Sequence, residues 1–502
     1  MVSTPVAIGP FTGGLNNYSD PSAIGDNECA QISNFDIDLD GTLVTRPPII
    51  RDAIMTGTGL YVNVLAVYVE ALTGTEYIVY SVHNATRAYN TSTKVASTIS
   101  DYVFTSAVMY KDLLWMVTEN ENENGAYWSP TTAAQGVPDM PKGVSVTVYK
   151  ERLFIANAKG RVFFSGPANP ESWGSSDFFD VRSGDGQDIV KIMDFSGQIA
   201  IFKTESTYIF QYDSAPTRGA VQVVSSSVGA DNSECVAEQD GIIYVYHNQT
   251  IYAVNNWRWE QINVKVVFDD NLAAFPVESL RKYSLSILGY RLVARYGSKY
   301  YVYGLKTKIW TQWDSTSRYP DFWVRMPEKN SEGLDEYYAG SYRNNQMYKF
   351  MDRHDALAET FPVSVTSKMY DYQVPYSFKR LFWWGIDIIA NNEIRVIARP
   401  QTYTANVTWG ELEAEGLTWG QAESQGRTWG RPADRSLDVS DEADIVYTGG
   451  ARVFVRFIKA MRFRKISFYL ESEINTTAAG PLRIFSMVSN ISNRQLVPKK
   501  VN

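Results

Sequence analysis

Residues 148–157, VYKERLFIAN, read as a strand, a two-residue turn and a second strand. Val148, Tyr149, Phe154 and Ile155 are β-branched or aromatic and fit a pleated, half-buried surface. The charged Lys150-Glu151 step between them is where the chain reverses. The same unit recurs in LTGTEYIVYS (72–81), MYKDLLWMVT (109–118), DFSGQIAIFK (194–203), EQDGIIYVYH (238–247), LGYRLVARYG (288–297) and GLDEYYAGSY (333–342). Matching turns fall about 35 to 50 residues apart, the period of four-stranded propeller blades. Further strands, such as GRVFFSG (160–166), STYIFQYD (206–213), QTIYAVNNW (249–257) and KYYVYG (299–304), extend several units. Each unit is then a small antiparallel sheet that cannot bury both faces alone, and radial stacking removes most of its exposed edges. Unrelated hairpins in one large sandwich are the competing arrangement, and the recurrence favours an irregular β-propeller over residues 59–358.

The flanks differ. Residues 1–58 open with FTGGLNN (11–17) and DPSAIGDNE (20–28), whose Gly-Gly, Asp-Pro and Gly-Asp steps are turn chemistry. They predict an extended N-terminal arm carrying a hairpin at NFDIDLDGTLVTRPP (34–48), where alternation ends at Asp40-Gly41. Such an arm cannot bury a core alone and is expected to dock on a neighbouring ring or on the propeller. Residues 359–502 lose the repeat and predict a C-terminal β-sandwich from KRLFWWGIDIIA (379–390), NEIRVIARP (392–400), ARVFVRFIKAMRFRKISFYLES (451–472) and PLRIFSMVSNI (481–491). Alternation in the third of these puts many basic residues on one face. An insertion, VTWGELEAEGLTWGQAESQGRTWG (407–430), repeats Thr-Trp-Gly three times. Gly after every Trp opposes both a continuous helix and one long strand. Three turns planting Trp409, Trp419 and Trp429 on one apolar contact surface are expected.

Composition narrows the class. Across 502 residues, 44% are apolar and 20% charged, which excludes a disordered chain. The 14% aromatic share points to β structure. A net charge of −8 argues against gripping nucleic acid by phosphate neutralisation, but not against letting it slide past. Cys29 and Cys235 stand in no CxxC spacing, and His83, His247 and His354 form no HExxH motif. The two cysteines are most simply buried small hydrophobes. No apolar run is long enough for a membrane span, and the start shows neither the basic region nor the apolar stretch of a signal peptide. A soluble protein made in a reducing cytoplasm is expected.

Catalytic motifs are scarce. Asp36-x-Asp38-x-Asp40-Gly41 begins like a calcium loop, but its twelfth position is Pro47, and a hairpin with solvated acids is the better reading. No G-x-S-x-G elbow, P-loop or G-x-G-x-x-G is found, and no Ser-x-Asp-x-Gly-x-x-Trp turn of a propeller sialidase. No catalytic, cofactor-binding or metal residue is assigned, and a non-enzymatic protein is expected.

The arm, through Gly13-Gly14-Leu15-Asn16, Asn34, Asp40-Gly41 and Arg46-Pro47 in that order, resembles the opening of a family of bacteriophage tail proteins. The likeness continues in VYKERLFIANAKGRVFFSGPANPESW (148–173) through Arg152-Leu153-Phe154, Ser165, Pro170 and Trp173. It runs on through 194–211 and 224–254 to FKRLFWWGIDI and RFRKISFYLES near the end. Its best-known members are tail nozzle (tail tubular protein B-like) proteins of short-tailed phages; similar sequences occur as minor tail proteins of long-tailed phages. The resemblance implies a β-propeller with further β-domains, in a hexameric homo-oligomeric ring around the DNA exit channel. It also implies a place in the virion after synthesis in the host bacterial cytoplasm. Expected partners are further copies, a tail adaptor, tail fibre proteins and phage DNA passing the lumen without specific binding, with no membrane and no cofactor. Phe11, Leu15 and Asn16, with Trp409, Trp419 and Trp429, are the expected contact residues. A host-glycan-binding or glycan-cleaving propeller is the alternative from another class.

Overall fold

The computed structural model describes residues 4–55, 62–82, 85–268, 283–314, 318–341, 343–354, 359–372, 379–401, 444–458, 461–463, 465–475 and 481–493. The regular structure of the described residues is strand throughout, apart from one 3-10 turn at Pro216–Arg218, with no α-helix. They divide into two compact units. One holds residues 47–305 and 313–353; the other holds 1–46, 306–312 and 354–502.

The first unit is built from four-stranded antiparallel sheets, seven among the described residues. The sheet around the opening motif runs Ser145–Tyr149, Arg152–Ala156, Arg161–Phe164, Phe178–Asp180, with Tyr149 paired to Arg152 across the turn. Lys150 and Glu151 both have positive φ, at 45° and 57°, the mirror-type turn whose twist matches the flanking strands. Lys111-Asp112 and Ser196-Gly197 turn in the same way. The inner strands follow one another round a hub: Asn63–Val69, Ser106–Tyr110, Ser145–Tyr149, Ile189–Phe195, Val236–Gln239, Tyr283–Leu288 and Pro320–Lys329. The last inner strand packs against the first, so the ring closes. The fold is β-propeller-like.

Closure uses a strand from before the first blade. Ile49–Ile54 pairs antiparallel with Gln346–Met351 as the outer strand of blade 7, with Ile54 opposite Gln346. The propeller therefore begins at residue 47, not 59, because an edge left open in blade 7 is covered by this strand. The apolar cores lie between blades. Phe154, Val162, Ile199, Ile201 and Phe210 fill the space between blades 3 and 4, while Val64, Ile78, Tyr80, Met326, Tyr338 and Met347 join blades 7 and 1. Each fully buried side chain of this kind contributes roughly 1.5–3 kcal/mol.

The second unit has two larger sheets. The seven-stranded sheet orders Arg452–Phe457, Lys379–Ile389, Arg483–Asn493, Leu43–Thr45 and Phe35–Ile37; Thr4–Ile8 and Met461–Phe463 pair beside this path. The six-stranded sheet orders Gly14–Leu15, Glu28–Ser33, Thr360–Ser367, Lys465–Asn475, Ile394–Gln401 and Asp444–Val446. The described part of residues 1–46 thus supplies strands to both sheets, where the sequence suggested an extended arm docked on the propeller or on a neighbouring ring. The reason is pairing: Thr4–Ile8 lies along Arg483–Asn493, and Glu28–Ser33 along Thr360–Ser367. Phe35–Ile37 and Leu43–Thr45 form the expected hairpin. The run 451–472 is not one strand. It breaks after Phe457 and passes from one sheet to the other, so Arg452 and Arg456 do not share a face with Lys465.

Candidate functional site

Around the propeller hub, the inner strands are tied by side chains that recur with the blade period. Tyr68 donates its hydroxyl to Asp112 O at 3.0 Å, Tyr110 to Glu151 O at 3.0 Å, and Tyr149 to Gly197 O at 2.6 Å. Each is a tyrosine near the end of an inner strand capping the first turn of the next blade. Between blades 6 and 7 the polarity reverses: Gly289 N donates to Tyr337 Oη at 2.8 Å. Hydroxyls of the inner strands also meet the neighbouring backbone. Ser106 Oγ accepts from Val146 N, Ser145 Oγ from Ile192 N, Thr147 Oγ1 from Asp194 N and Ser286 Oγ from Trp323 N. These bonds satisfy edge amides that would otherwise face the hub. The tyrosines were missed in the sequence, although their position just before successive turns was a readable signal.

A cavity of about 750 Å3 opens at the hub, lined among others by Lys191, Glu238, Asp240, Tyr290, Trp323 and Arg325. Half-buried Lys191 donates to Val236 O at 2.9 Å; burial pulls its ammonium down to about 8, against the opposing charge of Glu234. Arg325 bonds Asp335 at 2.8 Å, and that bond lifts the guanidinium above its usual value. Tyr290 is 55% exposed. Arg325 is paired with Asp335, while Lys191, Lys329, Glu238 and Asp240 add further charges of both signs, so the wall is polar and of mixed charge. Among the described residues, no group of three or more His, Cys, Asp or Glu is placed to hold a metal ion.

In the second unit, several residues of the N-terminal segment take part in side-chain networks. Arg46, fully buried, makes a two-pronged pair with Glu359, each nitrogen 3.1 Å from its oxygen. Its Nε donates to Asn34 Oδ1 at 2.8 Å, and its guanidinium lies 4.0 Å from the centre of the Phe361 ring. Asn34, at a positive φ of 62°, donates its amide to Pro362 O at 2.6 Å. Asn16 donates to Glu28 Oε2 at 2.8 Å, and Glu28 Oε2 also accepts Gly25 N. Gly14 has a physical reason to be glycine: a Cβ there would stand 2.2 Å from Ile309 Cγ2, at a φ of +67°. Gly41 turns the hairpin at φ +82° and accepts Phe11 N at 3.1 Å. Asp40 Oδ1 accepts Thr42 N at 3.0 Å, which holds its carboxyl below the usual range, the signature of a turn.

The expected contact residues fare differently. Phe11, Leu15 and Asn16 are buried within the unit, so they act as core and network and offer no outward surface. Trp409, Trp419 and Trp429 lie outside the described residues. Cys29 and Cys235 are both buried, and burial pushes both thiols up, away from reactivity. His247 sits between Glu205 at 3.4 Å and Asp231 at 3.5 Å, and its imidazolium is favoured.

No family model and no curated protein matches the chain. Solved structures match at low identity. The extracellular domain of BT4673 from B. thetaiotaomicron, described as part of a one component system, is 11% identical with a TM-score of 0.42; the match covers 66% of this chain and 43% of that one. The computationally designed protein Ika8 is 9% identical with a TM-score of 0.39, over 60% of this chain and 99% of that one. PorZ, a surface component of the type-IX secretion system of Porphyromonas gingivalis, is 8% identical with a TM-score of 0.35, over 60% and 38%.

Proposed function

We propose that the chain is a non-enzymatic structural protein of a bacteriophage tail, a nozzle ring component that forms the DNA ejection channel of a short tail. The observation that carries this reading is the network around Arg46. The scattered residues of the tail-protein resemblance, Asn34, Gly41 and Arg46 with Gly14 and Asn16, each have a structural task in one unit that joins the two ends of the chain. In this reading the two large sheets form a β-sandwich completed by the N-terminal segment. Copies of the chain assemble as a homo-oligomer of six, bound to a tail adaptor and to fibres, in a virion built in the host cytoplasm. A net charge of −8 per chain gives about −48 for six copies, which repels phosphate and lets DNA pass without specific binding. Station at the tip of a long tail, as a minor tail protein, is the variant within the same class.

The hub cavity favours one other reading, a glycan-binding propeller, because the exposed ring of Tyr290 stands at its rim. Antibody labelling of the parent virion, viewed by negative stain, separates the two classes. Label at the tail supports the proposal. Virions that carry none of this chain contradict it.

A further inference from the structure

We propose that the outer face of the seven-stranded sheet around Phe454 docks, head to tail, onto an acidic notch between blades 2 and 3 of a second copy of this chain. This rests on the assembly reading above and names its contact.

The donor face follows from strand alternation. In Arg452–Phe457, the side chains of Val453, Val455 and Phe457 point to one side and those of Arg452, Phe454 and Arg456 to the other. Phe457 is buried, its ring 4.7 Å from that of Trp384, which in turn lies 5.1 Å from Phe468 of the six-stranded sheet. The opposite side is open: Phe454 is 48% exposed, and Ile458, just past the strand, 81%. Gly385 leaves room for the Phe454 ring, since a Cβ there would come within 2.5 Å of its Cζ. The Arg452 guanidinium lies 3.7 Å over Phe485 and bonds Asp387 at 2.7 Å. That of Arg456 lies 4.3 Å over Trp383, with no carboxylate beside it among the described residues. Stacking holds such a guanidinium flat with its N–H edge outward, preorganised for a carboxylate. Arginine and aromatic side chains together are the composition of interface anchors, not of ordinary surface. Arg452–Phe457 also ends its sheet, so one row of backbone groups has no strand partner among the described residues.

The acceptor is complementary. The segment TENENENG (118–125) brings Glu119 and Glu121 to a notch of about 620 Å3 shared with Asp139, Phe163 and Trp173. Lys142 and Lys159 also line it, and Lys142 is turned to Asn124 Oδ1 at 3.3 Å. Burial, with the charge of Asp188 added, pushes the Glu119 carboxyl up, a crowding that an arriving cation relieves. Trp173 Nε1 is buried without an acceptor, and a carbonyl from an added strand edge would supply one. Because the two surfaces differ, the contact is heterologous and closes into a ring or continues as a filament.

Sedimentation of the purified full chain tests the contact, with thermal melting to confirm that each variant is folded. The wild type should self-associate, more strongly at low salt. Arg456→Glu, Phe454→Ser and the pair Glu119→Arg with Glu121→Arg should each abolish the oligomer. Arg456→Glu and Glu121→Arg combined in one chain should restore it. A wild type that stays monomeric at every salt concentration overturns the docking, as do folded variants that assemble like the wild type. These results are separable from the tail reading: a self-associating chain absent from virions sinks the tail reading alone, and a monomeric chain found in the tail sinks the docking alone.

Discussion

Arg46 and Glu359, separated by 313 residues, face each other as a fully buried bidentate ion pair at 3.1 Å. The pair is held from the side by Asn34 Oδ1 and from above by the Phe361 ring. One residue of the pair belongs to the N-terminal segment and the other to the C-terminal sheets. Removing either leaves a charge in a site closed to water.

Arg46→Ala should therefore lower the stability of this unit by about 3–5 kcal/mol. Glu359→Gln, which keeps the shape, should cost less than that. Urea unfolding followed by tryptophan fluorescence resolves this, read on the transition of the second unit because two units need not melt together. An unchanged transition in Arg46→Ala would show that the pair carries no net stability.

The tyrosine ties predict a graded series in the propeller. Each of Tyr68→Phe, Tyr110→Phe and Tyr149→Phe removes one hydroxyl bond, at about 1 kcal/mol apiece. Tyr110→Phe should cost least, because its bond is exposed while those of buried Tyr68 and Tyr149 are partly shielded from water. The blades are separate, so the triple variant should approach the sum. Equal stability of the triple variant and the wild type would remove the ties from the account.

His247 gives a pH signature. The Asp231 carboxylate, 3.5 Å from Nδ1, and then the charge of Glu205 raise its value above the ordinary one of about 6.5, while burial opposes them. A raised folded value means that the stabilisation is fully present below about pH 6.5 and fades as pH rises through the folded value. The stability difference between wild type and His247→Asn should thus be largest in mild acid and shrink in mild alkali. A difference that is flat or grows with pH contradicts the assignment.

The blade turns were legible in the sequence because they are local: a charged or glycine-bearing pair between aromatic strands both needs and shows positive φ, as at Lys150-Glu151. The closing strand was not. IIRDAI (49–54) looks like any short strand, and its partner Gln346–Met351 lies nearly the whole propeller away. The hairpin at Asp40-Gly41 was readable for the same local reason, whereas the place of Thr4–Ile8 depends on Arg483–Asn493, near the other end of the sequence. Arg46 was visible as part of a motif, but its task depends on distant Glu359.

A cryo-electron-microscopy reconstruction of the parent virion tests the central claim most directly. This chain's propeller-like unit and its two large sheets should fit density at the tail as a symmetric ring of copies around the path of the DNA. Density that places a single copy there, or virions that lack the chain, would contradict it.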